Sequence, residues 1–561
     1  MTNRDVADVL EETADLIELT NGNPHRARAF SRAARSLGDL DETVESRLAA
    51  GTLTEVSGIG DAMRDHVEDI AEGGTFALYD ELLNAIPPGL LDVLRVKGLG
   101  TKRTRRLWTE LDVTSLDELE QAAEEDRITS LSGFGPKTQA NILENVRQLR
   151  AYDRQWRLPD VRSAVVPLLD SLRALDCVDR AEPTGALRRD AQTLERAELI
   201  VSTSSRTDLR DWLDDRLDGL ETEDDAVWTS TLPEGIPLRL HLTPPSRFGT
   251  VWWRTTGSDG HCESFVATHG SPSDHRSEAA VFESAGLPAV PPALREDRGE
   301  LAAAADEALP TLLTVDDLRG CLHNHSTYSD GSAALAEMAE TARELGFSYF
   351  GISDHSQSLQ IADGLSPEAV RRQHEDVQKL NERYETEALD FRLFHGIESD
   401  VLRDGSLDYE TDVLNLFDFV VASVHTGFSM TEAEATERVI RAVRHPHTRI
   451  LGHPTGRLLL AREGYPLNHE RVIAACAEHD VAIELNANPY RLDLDWRWVR
   501  TATEQGVLIS VNPDAHSPEE LQNVTWGVAA GRKGWLEPSD TLNAKSLPAF
   551  RDWIEAGSTS A

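Results

Sequence analysis

The sequence predicts a multidomain chain: an all-α region of helical hairpins first, a mixed α/β middle, and a distorted (β/α)7 barrel last. Three observations predict it. One glycine pattern recurs three times between helical stretches in the first 150 residues. The C-terminal part, from about residue 317, alternates short apolar strands with helices. A chain of 561 residues is also too long for a single core, which implies three to five domains.

Composition narrows the class. No stretch approaches the roughly 20 apolar residues of a membrane helix, and the opening "MTNRDVADVLEETADL" is acidic and helical, unlike a signal peptide. The four cysteines, Cys177, Cys262, Cys321 and Cys476, are scattered and form no CxxC pair. That pattern suits a reducing cytoplasm and speaks against a disulfide framework or a thiolate zinc site. The expectation is a cytoplasmic protein without membrane contact. Net charge is −41, with 6 Lys beside 50 Arg and acids spread over every segment. We read this as an acidic coat suited to a salty cytoplasm, where a short Debye length mutes repulsion. A halophilic source is expected, and the positions of the few lysines then say more about partners than total charge does.

The hairpin elements come first. "EVSGIGDAMRDHV", "RVKGLGTKRTRRL" and "SLSGFGPKTQANI" each place an apolar residue between two glycines, at 58–60, 98–100 and 133–135, ahead of a helix. Glycine permits the tight turn and a close backbone approach, and the following helix N-terminus offers N–H groups and a positive dipole end to a phosphate. Lys97, Lys102 and Lys137 stand at two of these turns, and Arg103, Arg105 and Arg106 join Lys102. Gly58, Gly60, Gly98, Gly100, Gly133 and Gly135, with Lys97, Lys102, Arg103 and Lys137, are the candidate DNA contacts. They grip the phosphate backbone and carry no sequence information.

The barrel elements follow from seven short strands that end in polar residues: "LRGCLHNH", "SYFGISDH", "RLFHGIES", "DFVVASVH", "RILGHP", "VAIELNANP" and "VLISVNPDAH". In a β/α barrel the carboxyl ends of parallel strands converge on one face. His323, His325 and Asp330 follow the first strand, His355 the second, Glu398 the third, His425 the fourth and His453 the fifth, while Asp514 and His516 follow the seventh. These nine are candidate metal ligands. Glu398 is placed to bridge a pair of ions, and Glu398, Asp514 and His516 are the candidate catalytic residues. Mixed imidazole and carboxylate ligation suits Zn²⁺, Mn²⁺ or Fe²⁺, with Mn or Zn favoured and two or three ions in all. Such a centre lowers the pKa of a water toward neutrality and clamps a phosphoryl oxygen, which is phosphoester hydrolysis. Arg457, in "GHPTGR", is a candidate for a substrate phosphate. His374, His395, His445, His447, His469 and His479 fall in helices, loops or strand middles and read as ordinary residues.

With these motifs in place, the chain resembles the bacterial and archaeal family X DNA polymerases that end in a PHP (polymerase and histidinol phosphatase) domain. The landmarks are "NGNPHRARAFSRAARSL", "IPPGLLDVLRVKGLGTK", "SLSGFGPKT", "TTGSDGH", "GLPAVPPALREDRGE" and the series "HxH…SDG…DH…E…H…GHP…DAH". The resemblance implies, in order, a helical helix-hairpin-helix domain (1–80), helix-hairpin-helix fingers (81–152), a nucleotidyltransferase-like palm (153–256), a thumb (257–305) and a PHP metal-dependent phosphoesterase barrel (315–561). The family's palm has a Gly-Ser-x-Arg-Arg stretch followed by two aspartates one residue apart and a third on a later strand. Here, in "TGALRRDAQTLERAELIVS" and "IPLRLHLTPPSRFG", Arg196, Glu198 and Arg239 fall in those three places and Ala186 replaces the serine. Two guanidiniums repel the Mg²⁺ pair that nucleotidyl transfer needs. A shifted register leaves Asp190 and Glu195 as alternative ligands.

Three functions remain open at this level. One is a 3′-5′ exonuclease in DNA repair with a degenerate palm, its 3′-5′ direction implied by the resemblance. Another is a working polymerase with an attached exonuclease. The third is a small-molecule phosphatase carrying a DNA-binding module.

Overall fold

A computed structural model describes residues 3–38, 40 and 43–558. The chain forms two compact units, 1–154 and 155–561. Among the described residues no helix is long and apolar enough to cross a membrane.

The first unit is helical: α1 (Asn3–Leu19), α2 (Pro24–Gly38), α3 (Val44–Ala50), α4 (Asp61–Gly73), α5 (Ala77–Asn84), α6 (Leu90–Leu94), α7 (Thr101–Leu111), α8 (Leu116–Glu124) and α9 (Pro136–Tyr152). Two apolar clusters hold it together. One joins Leu10, Phe30, Ile70 and Phe76, and the other joins Leu90, Leu107, Ile142 and Val146. The three glycine turns share one backbone. Gly58, Gly98 and Gly133 take φ of +86°, +89° and +87°, a region closed to most side chains. Gly60, Gly100 and Gly135 are the N-caps of α4, α7 and α9 in extended conformation, with no side chain capping them. Between them Ile59, Leu99 and Phe134 are buried, so each turn is pinned by its apolar middle residue while its glycines face outward.

The second unit begins with a two-stranded antiparallel ribbon of β1 (Trp156–Arg157) and β3 (Thr193–Leu194). Beside it is a five-stranded sheet in the order β2-β4-β7-β6-β5. Its strands are β2 (Val178–Pro183), β4 (Ala197–Thr203), β5 (Asp218–Asp224), β6 (Val227–Thr231) and β7 (Pro237–Thr243). Only β4 and β7 run parallel, with Glu198 opposite Arg239. This mixed sheet lies in the segment expected to be the palm; the helices that follow, Phe248–Thr256, Asp259–His269 and Glu278–Ser284, close over a separate core of Trp253, Phe265 and Phe282.

The barrel is all parallel: β8 (Gly320–Cys321), β9 (Tyr349–Ile352), β10 (Arg392–Asp400), β11 (Phe419–Ser423), β12 (Thr448–Leu451), β13 (Ala482–Asn486) and β14 (Ile509–Asn512), adjacent in sequence order. Such strands are buried on both faces, which is why they read as continuous apolar runs. Outward residues such as Phe350, Ile397, Val420, Leu451 and Ile483 meet the helices in one cluster. Inward residues form a second, with Tyr349, Phe394, Phe419, Val421 and Ala482 packed on Phe550 and Trp553 of the C-terminal helix Leu547–Ser558. Phe550 stacks on Tyr349 at 4.5 Å and 4°. One end of the barrel is thereby plugged by aromatic rings.

Seven strands leave a seam between β14 and β8, and side chains help close it. His325 N donates to Ala515 O at 2.8 Å and Asp514 N to His323 O at 3.1 Å. Leu322 N donates to Asn512 Oδ1 at 3.0 Å, and Asn543 Nδ2 donates to Gly320 O at 3.1 Å. The C-terminal helix fills the bottom and this seam draws the His323–His325 loop against the Asp514 loop at the top.

The plug leaves no room at Gly396 in β10, where a Cβ would lie 2.3 Å from Phe419 Cζ. Gly396→Val is expected to lower stability by about 1–3 kcal/mol through overpacking. Addition of Phe419→Leu should recover part of that loss. Denaturant midpoints of the two variants check this, and equal midpoints for Gly396→Val and the parent would contradict it.

Candidate metal centre and nucleic-acid interface

Alternation along the strands dictates what enters the barrel mouth. In β10, Phe394 and Gly396 point inward, so Glu398 does too, one layer above the aromatic plug. The other eight expected ligands lie just beyond strand ends and turn into the same space. Glu398 Oε1 is 2.9 Å from His453 Nε2, 3.1 Å from His425 Nε2 and 3.3 Å from His323 Nε2. Glu398 Oε2 is 2.7 Å from His355 Nδ1 and 3.8 Å from His325 Nε2. Asp514 Oδ1 is 3.1 Å from His325 Nε2 and 3.5 Å from His323 Nε2. Asp330 lies 3.5 Å from both His355 Nε2 and His516 Nε2.

All nine expected side chains are therefore gathered at one point. Three groups are close enough to share an ion: His325, Asp330, His355 and His516; His323, His325 and Asp514; and His355, Glu398 and His425. The donor atoms fit that role. Buried His323 Nε2, His325 Nδ1, His355 Nδ1, His453 Nδ1 and Glu398 Oε2 have no hydrogen-bond partner, a costly state for polar atoms out of water. Donors each about 2.1 Å from a shared ion stand roughly 3–3.5 Å apart, as most of these do.

The residues that hold the cluster in place were less visible in the sequence. Glu484, inward on β13, is 2.7 Å from His323 Nδ1 and also accepts from His453 N at 2.7 Å and Asn512 Nδ2 at 3.0 Å. Asp400, two residues beyond Glu398, takes His425 Nδ1 at 2.7 Å. Asp354 accepts from Ser326 N and Oγ at 2.8 Å, Ser329 Oγ at 2.6 Å and Gln373 Nε2 at 2.5 Å, bracing the loop that carries His325 and Asp330. Partners of this kind orient an imidazole and fix its tautomer. The available signal was a lone acid inside an apolar strand, as in "AIELN".

Arg457 is a correction. Expected at a substrate phosphate, its guanidinium is instead bonded through all three nitrogens to the protein. Nε donates to Arg491 O at 3.0 Å, Nη1 to Asp495 at 2.6 Å, and Nη2 to Gln192 at 3.1 Å and to Leu492 O. It ties the palm edge to the loop after β13. The cation that does stand at the cluster is Arg491, with Nε 3.4 Å from Asp514 Oδ2. The remaining histidines keep to other tasks: His395 bonds His374 and Leu416 O, and His469 stacks on Trp498.

In the palm, Glu198 is met by His241 Nε2 at 2.9 Å and Arg196 Nε at 3.8 Å, while Arg239 turns to Glu223. Asp190 is paired with Arg162. Among the described residues no three metal-type side chains converge in the palm. The two arginines of "TGALRRD" are engaged as well. Arg188 makes a two-pronged pair with Glu278 at 2.7 Å, and Arg189 pairs with Glu296 at 2.8 Å, where buried Lys533 also ends.

In the first unit, Arg28, Lys102, Arg105 and Arg106 line one cavity of about 600 Å³ beside the turn at 98–100. Arg106 is paired with Glu110 at 2.6 Å. Glu18 lines the same cavity, and among the described residues Arg28, Lys102 and Arg105 form no ion pair.

Comparison with known proteins agrees with this geometry. A helix-hairpin-helix domain model matches residues 1–76, a SAM-like helix-hairpin-helix tandem model matches 90–148, and a PHP domain model matches 322–488. The DNA polymerase/3′-5′ exonuclease PolX of Bacillus subtilis (strain 168) is 31% identical over 98% of this chain and 98% of its own length. The chain belongs to the family X DNA polymerases with a C-terminal PHP domain. About a third of the chain is also similar to probable phosphatases. One from Acetivibrio thermocellus is 29% identical over 36% of this chain and 80% of its own, and one from Aliivibrio fischeri is 27% identical over 36% and 78%.

Charge at the PHP cluster is strongly coupled. Burial opposes ionisation of Glu398, yet His425, His323 and His355 hold its carboxyl well below the usual range. Asp514 is held down in the same way by His323, His325 and His516. Burial also opposes charge on the imidazoles. The Glu398 and Asp330 carboxylates overcome it at His355, pushed up to about 10, and Asp330 and Asp514 overcome it at His516, pushed up to about 9. Without ions, both rings carry protons at neutral pH, and an ion binds only the neutral nitrogen. Uptake of Mn²⁺ or Zn²⁺ is therefore expected to release protons, with affinity falling as pH drops from about 9 to 6. Calorimetry in buffers of different ionisation enthalpy reads the released protons, and uptake with none would contradict the assignment.

Proposed function

We propose that this chain is a DNA-binding, metal-dependent phosphodiesterase that trims 3′ ends during DNA repair, and that its palm no longer transfers nucleotides. The carrying observation is the convergence of nine imidazole and carboxylate groups, several of them orphaned, at the mouth of the PHP barrel. Two or three divalent ions, Mn²⁺ or Zn²⁺, are the proposed occupants, held by His323, His325, Asp330, His355, Glu398, His425, His453, Asp514 and His516. When bound they supply a Lewis acid for the phosphoryl oxygens and a nucleophile active near neutral pH.

The protein's own groups do the rest. Glu398, with both oxygens engaged by imidazoles on different sides, is the proposed bridge. Asp514 and His516 serve the other side of the cluster. Arg491 takes the role first expected of Arg457, a cation facing the scissile phosphate from beside Asp514. The hairpin unit supplies affinity for the DNA backbone through Gly58, Gly60, Lys97, Gly98, Gly100, Lys102, Arg103, Gly133, Gly135 and Lys137.

The loss of nucleotidyl transfer is supported by Arg196 and Arg239 in places where a metal pair needs carboxylates, and by Glu278 and Glu296, which already neutralise Arg188 and Arg189. The Bacillus subtilis relative, named as both polymerase and exonuclease, keeps open a second reading in which some polymerase activity persists. One gel separates the readings. On a 5′-labelled primer–template with Mn²⁺ and all four nucleotides, shortened products are expected, abolished by Asp514→Ala. Lengthened products would establish the polymerase, and hydrolysis of a small phosphomonoester with DNA left intact would establish a phosphatase.

A second measurement addresses the grip. Lys102→Ala and Arg105→Ala are each expected to weaken duplex binding regardless of sequence and to reduce the slope of log K against log[salt] by about 1. Fluorescence anisotropy across a salt titration reads it, and an unchanged slope would remove that face of the hairpin from the DNA contact.

A further inference from the structure

Among the described residues only five large apolar side chains stand exposed: Val166, Val315, Leu345, Ile361 and Tyr490. Two of them rise from loops that leave the carboxyl ends of barrel strands, where the metal centre lies. Ile361 is in the loop after β9 and is 92% exposed; Tyr490 is in the loop after β13 and is 48% exposed. With β8 and β14 between them on one side and β10, β11 and β12 on the other, these loops face each other across the mouth.

Neither side chain is exposed because its loop is slack. Leu365 N returns to His355 O at 2.8 Å, Gly364 N bonds Leu359 O at 3.2 Å, and Ser358 N bonds Asp408 at 2.6 Å. A Cβ on Gly364 would lie 2.0 Å from Ser356 O, so the turn beneath Ile361 is closely packed. Tyr490 N is held by Asn488 Oδ1 at 3.0 Å, and its O receives Leu459 N at 2.6 Å. Arg157, itself bonded to Asp160, lies over the ring at 3.8 Å. The next residue is Arg491, at the cluster.

Holding an isoleucine almost wholly in water on a closely packed turn yields no folding stability, and an aromatic ring with one guanidinium over it, followed in the chain by a second that reaches the cluster, matches the flat, π-rich surface of a base on a phosphate chain. We propose that Ile361 and Tyr490 form a nucleobase clamp: they contact the bases of the terminal nucleotides while the adjoining phosphate lies at the metal centre. This deepens the nuclease reading and rests on it. The clamp selects a nucleic-acid end over a small phosphoester and leaves base identity unread, because every base has a π face.

The test compares two single-stranded oligonucleotides, one with an ordinary 3′-terminal nucleotide and one whose terminal residue is an abasic tetrahydrofuran. The full chain with Mn²⁺ is expected to prefer the first in kcat/KM by roughly 5- to 100-fold. Ile361→Ser and Tyr490→Ser should collapse that ratio, and Ile361→Leu and Tyr490→Phe should retain it. A ratio near one in the parent, or Ser variants that slow both substrates equally, overturns the clamp. Binding is read separately in EDTA with 2-aminopurine as the terminal base. Quenching by the parent that Tyr490→Ser relieves is expected. A chain that cuts DNA without quenching overturns the clamp, whereas one that quenches without cutting upholds the clamp and overturns the nuclease reading.

Discussion

The barrel depends on a carboxylate that cannot be left alone. Glu398 is fully buried, with five imidazoles within 3.8 Å of its two oxygens. Removing that charge from water is costly, and ordinary hydrogen bonds do not compensate here, since Oε2 has no donor in bonding geometry. Bound cations would complete the charge of such a site. Much of the surrounding structure serves it. The aromatic plug excludes water from below, the asparagine-stitched seam draws the first and last loops together, and Glu484, Asp400 and Asp354 set the orientation of rings and loops.

The palm shows the opposite disposition. Its charged groups are already satisfied by one another: Arg188 and Arg295 by Glu278, Arg189 and Lys533 by Glu296, Asp190 by Arg162. Lys533 comes from the barrel and Glu296 from the segment between palm and barrel, so the pairs that fill the palm also bind it to the rest of the second unit. Arg457 belongs to the same joinery.

Charge is distributed by the same logic in the first unit. In a chain of net charge −41, carboxylates engage Arg64, Arg95, Arg106, Arg127, Arg147 and Arg150 of this unit. Among the described residues Arg28, Lys102 and Arg105 form no ion pair, and they share one cavity with a single carboxylate, Glu18. Their position beside a glycine turn whose N-cap has no side-chain acceptor leaves a concentrated positive face, which total composition conceals.

The hairpins and the nine ligand-type residues were legible because their signals are local. A glycine at φ near +88° cannot be replaced cheaply, and a histidine at a strand end declares its face once the strands are recognised as parallel. Glu484, Asp400 and Asp354 were harder to see, since their roles depend on which ring reaches them across the barrel. Arg457 and Arg491 were indistinguishable as sequence: two arginines in polar loops, separable only by where each guanidinium finds acceptors. Residue chemistry and strand parity determined what this protein has at the barrel mouth. Only the tertiary structure decided which of those groups meet, because barrel closure and loop packing join ligands as far apart in the chain as His325 and Asp514.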